Sequence, residues 1–226
     1  MTVVGLIGKI GAGKTTVAGL LGQRGAIVID ADALTHDALK QEVVQERIRD
    51  RFGSSVFAGE VVDRSCLAEL VFGDQPEHKK ALQDLEEIIH PRVRHALEER
   101  LRGIDAQALS KKTGSVVVLD VPLLVQAGLH NRCDRLIRLE CEDSVRHQRL
   151  VQRGLSAGQV AAREEAWIAG FSQDSVSDHV LCTVDTSGDI AYTRKEIERI
   201  WGNYKQFVLT VTLNSRLTSF RLTSFQ

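Results

Sequence analysis

Gly8-Lys9-Ile10-Gly11-Ala12-Gly13-Lys14-Thr15 fits the pattern G-x-x-x-x-G-K-[ST], and each fixed position has a chemical reason. A loop that wraps phosphate oxygens must turn its backbone N–H groups inward, which requires conformations that glycine adopts cheaply. The helix that follows adds its positive N-terminal end to the anion site. Lys14 offers a point charge for the β- and γ-phosphates, and the Thr15 hydroxyl is a ligand for Mg²⁺. Gly8 to Thr15 are therefore the candidate contacts for ATP-Mg²⁺. The pattern speaks strongly for nucleotide binding and weakly for the second substrate.

Phosphoryl transfer also needs a base or a positioning group for the attacking hydroxyl. Asp30 and Asp32 stand just past a second apolar run, two residues apart. In an open α/β sheet, ligands bind beyond the carboxyl ends of the strands, so one acid could take a proton and the other hold Mg²⁺ or its water. Either could instead cap the next helix. Asp120 ends a third run, where a metal-binding acid would sit, or else it is a turn acid before Pro122. Arg146, Arg149 and Arg153 fall at i, i+3 and i+7 and share one helical face. That face could close over phosphates as a lid, with Arg163 nearby, or simply be solvated. His36, His90 and His95 have no metal-ligand spacing; His90 before Pro91 is either a substrate contact or a helix-end residue.

These residues must be held by a particular scaffold. Short apolar runs at Val3–Ile7, Ala26–Ile29, Val116–Leu119, Leu136–Leu139 and His179–Thr183 read as buried strands. Helix-spaced apolar residues fill Gln41–Arg51, Arg64–Phe72 and Glu77–Arg102, then Ser144–Arg153, Ser156–Ala169 and a closing helix from Ile190 to about Phe207. Asp74 and Pro76 mark a helix start. Pro91 predicts a break or kink near His90, and the Gly53–Val62 link has a Gly-Glu turn and could hold an irregular loop. Strands alternating with helices give an α/β class with a mostly parallel sheet.

The 226 residues, 43% hydrophobic and 26% charged, suit one compact soluble domain. A net charge of -1 favours neither nucleic acid nor an anionic membrane. The longest apolar stretch, Ser115–Gly128, is broken by Asp120 and Pro122, so no membrane span is expected. The N-terminus has no basic region or cleavage site, so no signal peptide is expected. Four scattered cysteines without C-x-x-C spacing point to a reducing, cytoplasmic setting. Arg216–Phe220 repeats as Arg221–Phe225, and 207–226 is expected to be a tail outside the fold, of no assigned role.

The run Gly5–Thr16 followed by Ile29-Asp30-Ala31-Asp32 resembles the dephospho-CoA kinase family. The blocks Arg64–Phe72, Leu85–Pro91, Asp120–Leu124, Arg149–Arg153 and Asp178–Leu181 follow in the family's order. The resemblance spans about residues 3–205. It implies a three-layer P-loop kinase with a helical substrate-binding insert and a lid. On that pattern residues 1–206 form one domain: a core at 1–33 and 114–206, a CoA-binding insert at about 34–110, and a lid at about 144–170. It implies that ATP phosphorylates the ribose 3′-hydroxyl of dephospho-CoA. Asp32 then matches the base, acting with Lys14 and the lid arginines Arg149 and Arg153, and Gly11, Ala12, Gly13, Lys14, Thr15 and Thr16 match the ATP loop. Arg64, His90, Pro122 and Leu123 join Asp32 at the substrate, and Thr15 and Asp120 hold the metal. Partners other than the small substrate are not implied, beyond a monomer or small homo-oligomer.

Four positions depart from the family pattern. Lys9 replaces a glycine, Gln126 a glutamate and Trp167 a glutamine, and Thr183 stands where asparagine commonly follows the last strand. Two alternatives stay open: a kinase of the same build acting on another hydroxyl compound such as a nucleoside, and a module that binds nucleotide or CoA species without turnover.

Overall fold

A computed structural model describes residues 1–72, 75–111, 114–122, 124–169 and 180–202 of the chain. At its centre lies a five-stranded sheet: β1 (Thr2–Ile7), β2 (Ile27–Asp30), β5 (Val116–Asp120), β6 (Arg135–Glu140) and β7 (Val180–Asp185), in the order β2-β5-β1-β6-β7. The pairings of β1 with β5 and β6, and of β6 with β7, are parallel. In register, Val4 lies beside Val118 on one side and Arg135 on the other. The strands read as unbroken apolar runs because helices cover both faces of such a sheet. Val4, Leu6, Val118, Ile137 and Val184 are buried in one cluster with Val17, Leu20 and Leu21 of α1 (Lys14–Gln23). Ile197 and Trp201 join it from α8, the described part of which covers 190–202.

Gly5 shows how tightly β1 is packed. A Cβ there would come within 2.5 Å of Leu124 Cδ2 and 2.7 Å of Cys133 Sγ. Real side chains do not approach so closely, so glycine is required by its neighbours rather than by its backbone angles.

By its internal contacts the chain divides into two compact units, Met1–Ile29 with Ile104–Gln226, and Asp30–Gly103. The second contains α2 (Ala31–Ala38), α3 (Glu42–Phe52), α4 (Arg64–Val71) and the first part of α5 (Pro76–Lys111). Gly53–Val62 holds the expected Gly-Glu turn, in a regular hairpin rather than an irregular loop. It forms a 3-10 turn at Ser54–Val56 and a hairpin of β3 (Phe57–Ala58) and β4 (Val61–Val62), turned by Gly59 at φ 67°. Both α3 and α4 pack on that turn, burying Val56. Asp84 of α5 accepts from Arg51 Nε at 2.6 Å and from Lys80 Nζ at 2.7 Å, tying α3 to α5.

The expected break near His90 does not occur. Helix α5 runs from Pro76 to Lys111 with Pro91 inside it. Proline removes one backbone hydrogen bond, and the carbonyl left over belongs to residue 87. Glu87, His90 and Pro91 all lie on the exposed face, where water can take that carbonyl. The buried stripe Ile88, Ile89, Val93, Leu97 and Leu101 continues on both sides and holds the helix together.

The first unit also carries α6 (Asp143–Gln152) and α7 (Ala157–Ala169). Asp74, Asp178, His179 and the tail 207–226 lie outside the described residues, as do the last residues of the expected closing helix.

Candidate active site

Strand β1 ends at Ile7, and α1 begins at Lys14. The six residues between them form the glycine loop. Gly11 and Gly13 sit at φ 80° and 83°, in the left-handed region that side chains avoid. Gly13 is the N-cap of α1, so the helix opens directly out of the loop. Lys14 Nζ donates to Gly8 O at 2.7 Å and Lys9 O at 3.2 Å, folding its charge back over the loop. Burial pushes the pKa of the Lys14 ammonium below its ordinary value; the Asp120 carboxylate works against that, and Arg153 adds to it. Thr15 and Thr16 are exposed on the first turn. Asp120, the last residue of β5, is buried beside this charge.

Arg146 and Arg149 of α6 and Arg153, its C-cap, have three separate fates, although their spacing puts them on one helical face. Arg146 is only 2% exposed and is committed to structure. It bonds Asp143 at 2.7 Å, the main-chain oxygen of Ile10 at 3.3 Å, and Glu164 of α7. It therefore does not close over a ligand; a half-buried helix face with acids and a loop carbonyl within reach leaves it no freedom. Arg149 donates to Thr186 O at 2.7 Å and Gly188 O at 3.3 Å, bracing the turn after β7. Arg153 is exposed. Gly13, Thr16, Arg149, Arg153, Thr186 and Ile190 line a cavity of about 320 Å³. That volume lies within the range of small-molecule sites.

Sequence reasoning missed Thr186. The last strand ends at Asp185, so Thr183 is an exposed residue inside β7 and does not follow it. The residue just past the strand is Thr186, buried, with its hydroxyl 2.9 Å from both Ala12 O and Glu140 O. The signal was present in Val184-Asp185-Thr186, an apolar residue continuing the strand's alternation. Two other departures meet directly: Gln126 Nε2 donates to the main-chain oxygen of Trp167 at 2.7 Å. Lys9 pairs with Asp143 at 3.8 Å, linking the loop to the start of α6.

In the second unit, Asp30 rather than Asp32 caps α2, accepting from the Asp32 N–H at 2.9 Å. Asp32 is thus on the first turn with its carboxylate uncommitted to the cap. Burial pushes that carboxyl above the usual aspartate range, the like charge of Asp30 adds to the rise, and Arg64 opposes it. Arg64 opens α4 behind its cap, Asp63, and His90 is exposed on α5. Pro122 is exposed in the turn after β5, and Leu123 lies outside the described residues.

A parallel sheet with a glycine loop between its central strand and the following helix defines a P-loop α/β protein of the small-molecule kinase type. The chain belongs to the dephospho-CoA kinase family, whose profile matches residues 2–189. It is 35% identical over 209 residues to the dephospho-CoA kinase of Thermobifida fusca, covering 89% of this chain and 95% of that one. It is 32% identical over 205 residues to that of Cutibacterium acnes, covering 88% and 82%. A solved Thermus thermophilus protein matches with a TM-score of 0.66 at 30% identity, over 89% of this chain and 97% of that one. The dephospho-CoA kinase of Campylobacter jejuni shares the fold, with a TM-score of 0.61 at 20% identity over 89% and 96%.

Proposed function

We propose that the protein phosphorylates the ribose 3′-hydroxyl of dephospho-CoA with ATP, giving CoA and ADP, the last step of coenzyme A synthesis. The observation that carries this reading is the family match across residues 2–189, which takes in both the phosphate loop and the helical unit. A match confined to the loop would be equally at home in a kinase for another hydroxyl compound.

The loop residues fit a magnesium nucleotide. Gly11 and Gly13 hold backbone angles that turn N–H groups toward an anion, and Lys14 already bonds oxygen atoms, those of Gly8 and Lys9. Thr15 and Asp120 would hold Mg²⁺, which when bound neutralises charge on the phosphates. Residues Gly11–Thr16 bind the phosphates, and Lys14 and Arg153 stabilise the charge that moves during transfer. Arg149 acts beside them by fixing the turn at Thr186 and Gly188 against the nucleotide cavity. Asp32 takes the proton of the 3′-hydroxyl; its raised pKa makes the carboxylate a stronger base and brings it nearer the working range of a general base. Arg64, His90, Pro122 and Leu123 contact the CoA portion. In this scheme residues 34–110 are the substrate-binding insert and about 144–170 the lid of a single domain. No helix among the described residues is long and apolar enough to cross a membrane.

The test is ADP release by purified protein with ATP-Mg²⁺ and dephospho-CoA, with pantetheine and adenosine as controls. Turnover that depends on dephospho-CoA establishes the substrate. Clear ATP binding without such turnover reassigns the acceptor or makes the protein a binding module.

A further inference from the structure

The space beside Lys14 is small. Gly8, Lys14, Val121, Val125, Gln126 and Trp167 bound a cavity of about 10 Å³, on the order of one water probe. A phosphoryl group carries three terminal oxygens, more than room for about one water takes in. The ammonium of Lys14 is meanwhile turned into the loop, on the carbonyls of Gly8 and Lys9.

Hydrogen bonds at Trp167 and, three residues earlier, at Glu164 hold this part of α7 in position. Gln126, in the segment after β5, donates to the Trp167 carbonyl at 2.7 Å. Glu164 is gripped by Arg146, and the same Arg146 nitrogen reaches Ile10 O of the phosphate loop at 3.3 Å. Glu164 and Trp167 are three residues apart on α7 and share a face. Helix α7 is therefore fastened at one point to the loop and at another to the end of the β5 segment.

We propose that Trp167 is a gate: latched by Gln126 and Glu164, it closes the Lys14 end of the nucleotide site and must withdraw for the γ-phosphate to seat. The proposal rests on the reading of the loop as an ATP site and adds a self-occluding state to it. A protein that is competent only when unlatched shows an apparent affinity reduced by the unlatched fraction. Loosening the latch should then tighten nucleotide binding, the reverse of what losing an ATP contact does. One net hydrogen bond is worth about two- to tenfold in such an equilibrium.

The experiment is calorimetric titration of the full chain with ATP-Mg²⁺, comparing wild type with Gln126→Ala, Glu164→Gln and Trp167→Ala. Each variant is expected to bind about two- to tenfold more tightly. The chain has 2 tryptophans, so Trp201→Phe leaves Trp167 as sole reporter, and its emission should shift as ATP binds. Trp201 is buried in the core; should that variant not fold, the affinities on the wild-type background decide the matter. Binding by all four proteins with variant affinities equal to or weaker than wild type overturns the gate, as does an unchanged Trp167 emission in the ATP complex. Absence of binding heat in every protein overturns the ATP-site reading itself, and the gate with it.

Discussion

The hydroxyl of Thr186 lies 2.9 Å from the carbonyl oxygen of Ala12, joining the end of β7 to the phosphate loop. The same hydroxyl is 2.9 Å from Glu140 O, which already accepts from the Thr186 N–H at 2.8 Å. Ala12 O is the acceptor that depends on the side chain. Thr186→Val keeps the shape and removes the donor, so it is expected to cost about 1–3 kcal/mol. Urea unfolding checks this, and Thr186→Ser should recover most of the loss. The KM for ATP should rise in the valine variant because the loop loses its brace.

Arg149 and Arg153 line the same cavity but differ in attachment. Arg149 braces Thr186 and Gly188 through main-chain oxygens, whereas Arg153 is exposed. Arg149→Ala should therefore lower both stability and activity. Arg153→Ala should leave the melting temperature within about 1–2 °C, since exposed changes cost little, while kcat falls by about 10-fold or more. Equal stability losses in the two variants would contradict this division.

Asp32 carries a prediction in two parts. As the base it works ionised, so Asp32→Asn should lower kcat by about 10²–10⁴ while ATP binding survives. Its carboxyl is raised above the ordinary 3.8, first by burial and then by Asp30. The folded state therefore holds this proton more firmly than the unfolded chain. Stability is highest below the unfolded value and falls as pH rises through the raised one. At neutral pH the ionised Asp32 opposes folding, and Asp32→Asn should melt higher than wild type. Activity should fall as pH drops through the same raised value, and Arg64→Ala, which removes the opposing cation, should move that limb upward. A kcat within a few-fold of wild type in Asp32→Asn would remove the residue from the mechanism.

Burial pushes the Cys133 thiol up to about 12. Its sulfur lies where a Gly5 side chain would otherwise go. A thiolate-directed reagent at pH 8 should leave Cys133 unmodified in the folded protein and react with it only in denaturant. Peptide mapping after brief labelling checks this.

Much of the framework is legible in local residue patterns. The parallel sheet follows from short β-branched runs such as Val116–Leu119, and the glycine loop from residues that only work between a strand and a helix. Asp30 and Asp32 could not be told apart by spacing, because both types cap helices; the backbone angles at Asp30 and its bond to the Asp32 N–H made the choice. Pro91 misled because a proline rule is local, while α5 is held by a buried stripe on both sides of it.

The sequence by itself determined the phosphate loop, the α/β class and the family, since each is written in neighbouring residues whose chemistry is the same in any setting. Tertiary structure alone decided what the side chains of that framework do. Arg146, Arg149 and Arg153 are one face by periodicity, yet one is buried on Ile10 and Glu164, one braces Thr186, and one is exposed. Thr186 meets Ala12 across 174 residues, and Gln126 meets Trp167 across 41. Hydrogen bonds at such separations depend on where the sheet and helices bring the chain back, and no local pattern encodes that return.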